Sequence, residues 1–93
     1  MAGAQLRLYE ALNAAVLEET EDKVEYAKSV LSKAEYCLND EVLHSPPDAV
    51  SHQAMDNVVV CARLMIQVAD NNAYYQFIKE RAINFLEKYR ANL

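Results

Sequence analysis

Ninety-three residues, 53% of them apolar and 25% charged, with a formal net charge of −5 at pH 7, describe one small domain (residues 1–93) with enough apolar material for a core. An acidic surface repels phosphate, which argues against nucleic-acid binding. A single glycine, Gly3, and two adjacent prolines, Pro46 and Pro47, leave too little turn chemistry for a sheet protein, so an all-α fold is expected.

The first residues, MAGAQLRLYEAL, repeat apolar side chains at a helical period and lack the basic and apolar regions of a secretory signal; Met1 suits a native start. Leu6, Tyr9, Leu12 or Asn13, and Val16 recur every three or four positions and predict a helix over residues 4–17. A second pattern runs through Val24, Ala27, Leu31, Ala34 and Leu38. Between them lies EETEDK, where Thr20 is the expected cap of a new helix with Glu21 and Asp22 in its first turn. An unbroken helix from about residue 4 to 39 is the alternative, and it would be over ~50 Å long. Two shorter helices give the more compact arrangement.

Ser45, Pro46, Pro47 and Asp48 form a variant capping box, so a third helix is expected to begin there or one turn later at Ser51. Residues 58–69 are then almost wholly apolar. As a helix they leave Asp56, Arg63, Gln67 and Asp70 on one narrow line, with Arg63 solvated or paired to Asp56 or Asp70. A helix of that kind needs neighbours on two or three sides, which makes it the central element, wrapped by the other three. The run is too short for a membrane span and contains Arg63, so no membrane partner is expected. It ends near Asp70, where Asn71 and Asn72 supply a turn and a fresh cap. The last helix presents Tyr74, Ile78, Ala82, Phe85, Tyr89 and Leu93 along one face. The resulting expectation is an antiparallel bundle of four helices, or of three with one long N-terminal member.

Cys37 and Cys61 sit inside apolar helical patterns. They read as buried thiols of an intracellular protein, cytoplasmic or nuclear, with a helix-to-helix disulfide as the alternative. Glu41 and His44 have the i, i+3 spacing of di-metal bundles, but such sites need two of these pairs and two more inward glutamates. Cys37, Glu41, His44, Asp48 and His52 lack the short repeated spacings of a zinc motif. His52 lies two and a half turns from Cys61, too far for direct activation of that thiol, and Ser29, Ser32, Ser45 and Ser51 occupy helical or capping positions. No catalytic, cofactor-binding or metal-ligating residue is therefore assigned, and no cofactor is expected.

The remaining candidates suit contact with another protein. Tyr26, Lys33 and Tyr36 lie off the apolar face of the second helix, and Tyr75 and Phe77 flank that of the last. Glu18, Glu19, Glu21, Asp22 and Glu25 could orient a basic segment of a partner. The expected function is a non-catalytic intracellular interaction module, an adaptor or dimerisation bundle, that binds a partner helix or a copy of itself. The acidic first half and the basic residues of the last helix would suit a homodimer. An accessory subunit completing an enzyme is the second reading, and a metal-binding bundle using Glu41 and His44 a remote third.

Overall fold

EETEDK breaks the chain rather than bridging it, and the cap falls two residues later than Thr20. Asp22 is in extended conformation, and its carboxylate accepts the backbone N–H groups of Val24 and Glu25, both at 3.1 Å. Thr20 instead donates its hydroxyl to the Asp22 carbonyl at 3.1 Å. In the computed structural model, which describes residues 3–93, four helices result: α1 Gly3–Leu17, α2 Lys23–His44, α3 Val50–Gln67 and α4 Asn72–Ala91. The longest dimension, 38 Å, has no room for a rod of ~50 Å. All regular structure among the described residues is helical.

At the second junction α3 starts one residue before the later of its two expected starts, Ser51, but the expected Ser45 cap is not formed. Pro46 disfavours helical geometry in the residue before it, and Ser45 is accordingly extended, ending α2 rather than capping α3. α3 begins at Val50, after Ala49, without any side-chain cap. At the third junction Asn71 caps α4 as its sequence suggests, accepting the N–H of Tyr74 at 3.2 Å. α3 itself ends at Gln67, three residues short of Asp70.

Consecutive helices pack side by side as an antiparallel four-helix bundle; α1 meets α4 only lightly, and α3 lies diagonally across from α1. The apolar third helix is therefore held between α2 and α4 and not wrapped by all three neighbours. Ala54, Met55, Val58, Val59, Cys61, Ala62 and Met65 are buried, whereas Val60 and Leu64 stay exposed alongside the polar line. Arg63 pairs with Glu35 of α2 at 3.1 Å, not with Asp56 or Asp70.

Two helices are rotated relative to their expected faces. α2 buries Tyr26, Ala27, Val30, Ala34, Cys37 and Glu41, because α1 and α3 cover it from two sides, leaving Val24, Leu31 and Leu38 on the flanks. α4 buries Tyr75, Ala82, Leu86 and Tyr89, and Tyr74 faces outward. The light α1–α4 seam is closed by the Tyr9 and Tyr89 rings, 6.2 Å apart, and by Lys79 of α4 pairing with Glu19 at 2.8 Å. Cys37 and Cys61 are buried free thiols, so the alternative of a disulfide is not realised.

Candidate functional site

One end of the bundle is organised around a buried carboxylate that sequence reasoning placed in a polar terminal turn. Glu41 has no exposed surface. Its Oε2 accepts Gln5 Nε2 of α1 at 2.7 Å and the Tyr89 hydroxyl of α4 at 3.1 Å. Its Oε1 accepts the hydroxyls of Ser51 in α3 at 2.7 Å and of Ser45, the C-cap of α2, at 3.0 Å. All four helices thus converge on one side chain. Burial works to raise the carboxyl pKa, but hydrogen bonds from Ser51, Gln5, Ser45 and Tyr89 outweigh it and hold the group below 4.5. Gln5 and Ser51 lie in the first turns of α1 and α3, whose N-terminal dipole ends also favour an anion. With its acceptor positions taken by neutral donors, this carboxylate ties the bundle together.

The same geometry separates the residues proposed for metal binding. Glu41 points inward, while exposed His44 turns its Nδ1 to the Asp40 carbonyl at 2.9 Å. Asp48 is exposed in the following turn, and among the described residues no group of three or more His, Cys, Asp or Glu side chains is arranged to hold a metal ion. Burial raises the Cys37 thiol to about 12, the opposite of what a nucleophilic cysteine requires.

The candidate contact residues divide sharply. Tyr26 and Tyr75, 3% and 0% exposed, belong to the core and present no surface to a partner. The Tyr26 hydroxyl donates to the Val16 carbonyl at 2.6 Å, tying α2 back to the end of α1. The Tyr75 hydroxyl is buried with no partner in the protein, and Lys23 Nζ stands over the Tyr75 ring, 5.1 Å from its centroid. These two hydroxyls predict opposite outcomes. Tyr26→Phe is expected to cost about 1 kcal/mol, whereas Tyr75→Phe is neutral or stabilising by up to about 1 kcal/mol, because it removes an unpaired buried polar atom. Chemical denaturation of both variants checks this, and equal destabilisation would contradict it.

Lys33 and Tyr36 are exposed on α2. Tyr36 borders a shallow hollow with Ser32, Leu38, Asn39 and the Glu35–Arg63 pair. Among the acids, Glu19 is taken up by Lys79 and Asp22 by its capping role, while Glu18, Glu21 and Glu25 remain exposed. Phe77 is 57% exposed, and Tyr74, assigned to the core by periodicity, is 61% exposed beside it. Together with Asn71 and Ala73 they line a shallow, mainly apolar hollow at the start of α4.

Tyr74 and Phe77 continue into a longer surface. Arg81 lies one turn beyond Phe77, its guanidinium 5.8 Å from that ring and 5.7 Å from Phe85, and its charge offsets part of the effect of burial on Cys61 of α3. Arg81 therefore marks the edge of α4 that borders α3, and Tyr74 and Lys88, two turns to either side, share its line. On α3, Leu64 follows Cys61 by one turn and stands next to exposed Val60 on the side towards α4. The sequence signal for this surface was the spacing of residues 74, 77, 81 and 88, which overlaps the core stripe by one residue. No described helix is long and apolar enough to cross a membrane. Compared with protein-family models, curated proteins and solved structures, the chain has no significant match to any of them.

Proposed function

We propose that this chain is a non-catalytic protein-interaction module, an adaptor-type bundle that receives a helix of another protein. The observation that carries the reading is the pair of aromatic rings left more than half exposed on one turn of α4, Tyr74 and Phe77, next to Arg81. Aromatic residues and arginine dominate the binding energy of protein interfaces. Folding has no use for these two rings outside the core, and exposed apolar side chains grouped on one face mark contact sites. Tyr36, with Lys33 one turn away, provides a second, more polar surface on α2. The buried free thiols of Cys37 and Cys61 suit a reducing intracellular compartment.

The test is cross-linked capture from cell extract by the wild-type chain and by Tyr74→Ser/Phe77→Ser. Since both side chains lie outside the core, the variant keeps its helical signal and melting behaviour. The reading expects specific partners that the variant loses. Identical capture by the two proteins, with no cross-link to α3 or α4, would remove its basis.

A further inference from the structure

The outer face shared by α3 and α4 differs in charge from the rest of this acidic molecule. Tyr74, Phe77, Arg81 and Lys88 follow one another at spacings of three, four and seven, while exposed Glu80 and Glu87 fall on another side of α4. Glu87 borders a hollow with Leu6 and Tyr9 of α1, which fixes that side as the one turned towards α1, and Glu80 lies two turns before it. The acid of α3 and the acid of the turn that follows it also lie away from this face. Asp56 lies two turns before Arg63, on the line that meets Glu35 of α2, and Asp70 borders a hollow with Glu21 and Asp22. What remains between α3 and α4 is a strip that holds the apolar and aromatic side chains of Val60, Leu64, Tyr74 and Phe77, the neutral amides of Asn57 and Asn84, and two cations but no acid, on a chain whose net charge is −5.

From this segregation we infer that the α3–α4 face docks an acidic amphipathic helix of a different protein, an inference that rests on the interaction-module reading above. The apolar anchors of such a helix pack on Val60, Leu64, Tyr74 and Phe77, and its carboxylates meet Arg81 and Lys88. From residue 74 to residue 88 the strip is about 21 Å long, matching four turns of a docked helix. A second copy of this chain is the poorer occupant. An isologous pairing through this face sets Arg81, midway along the strip, against its own counterpart and offers Lys88 no acid, and a head-to-tail pairing with the acidic residues 18–25 is heterologous, building a ring or an open chain rather than a two-fold dimer.

Two synthetic helical peptides of about 18 residues, with the same leucine and phenylalanine anchors but glutamate flanks in one and lysine flanks in the other, are titrated into the full isotope-labelled chain. The glutamate peptide is expected to shift the amide signals of Val60, Leu64, Tyr74, Phe77 and Arg81, with an affinity that falls as salt is raised. Arg81→Glu/Lys88→Glu is expected to weaken it at least about tenfold and to gain affinity for the lysine peptide. Glutamate-peptide binding unchanged by that double substitution overturns the proposal. So does wild-type preference for the lysine peptide with shifts at residues 18–25 or at Tyr36; the interaction-module reading then survives with a different surface and partner. Binding of neither peptide also overturns it, and the capture experiment with Tyr74→Ser/Phe77→Ser then decides separately whether the wider reading stands.

Discussion

Replacing Glu41 with alanine is expected to destabilise the protein by about 3 kcal/mol, and to lower its melting temperature by roughly 12–24 °C for a domain of this size. The change removes the acceptor shared by Gln5, Ser45, Ser51 and Tyr89 and leaves the Tyr89 hydroxyl inside the core without its partner. Against a total stability on the order of 5 kcal/mol, such a loss brings the fold close to its limit at physiological temperature. Glu41→Gln keeps the shape and removes the charge, so it isolates the ionisation. The folded carboxyl is held below its ordinary value of 4.5, so the unfolded chain binds more protons in that window. The charge-dependent contribution is therefore complete above pH 4.5 and is lost as the pH falls through the depressed folded value. The stability gap between wild type and Glu41→Gln is expected to be constant near neutrality and to shrink on acidification. A gap that stays the same into strong acid would mean that Glu41 is not ionised in the fold.

Leu12→Ala is expected to cost about 3 kcal/mol, since it opens a cavity at a fully buried position. Its location makes the consequence local as well as global. α1 buries only Tyr9, Leu12 and Ala15, and it lies lightly against α4 and diagonally across from α3. The tethers across its seams are Gln5 to Glu41, Tyr26 to Val16, and Glu19 to Lys79 just beyond its end. With Leu12 cut back, α1 detaches before the other helices open, because stability is distributed according to buried contact. Hydrogen-exchange mass spectrometry on Leu12→Ala is expected to show lost protection over residues 3–17 first, with α2 to α4 opening together at higher free energy. Uniform loss across all four helices would show that α1 is not a separate unit.

How far these features could be read in the chain depends on how local their causes are. The scarcity of glycine and proline excludes hairpins, and the three- and four-residue spacing of apolar positions produces helices wherever they pack. Asn71 caps α4 through a bond to a residue three positions on, and Pro46 ends α2 by restricting its immediate neighbour. At EETEDK the break is legible but its capping residue is not: Thr20 and Asp22 are both competent acceptors, and Asp22 is the one positioned to reach Val24 and Glu25.

The candidate site lay beyond that reach. Tyr74 and Tyr75 are adjacent and chemically identical, and each completes a helical stripe with the apolar residues that follow; only the position of α1 and α3 beside α4 decides that Tyr75 turns inward and Tyr74 outward. Glu41 has the same cause. Nothing near it in the chain satisfies a buried carboxylate except Ser45, and its other three donors arrive from 10, 36 and 48 residues away. Helix formation and the approximate places of the breaks follow from bonds made within a few residues, so the amino-acid sequence by itself determined them, while it left three or four helices and the capping residues open. The rotation of each helix, the burial of one carboxylate and the composition of the exposed aromatic edge were decided only by tertiary packing, because each depends on side chains brought together from distant parts of the chain.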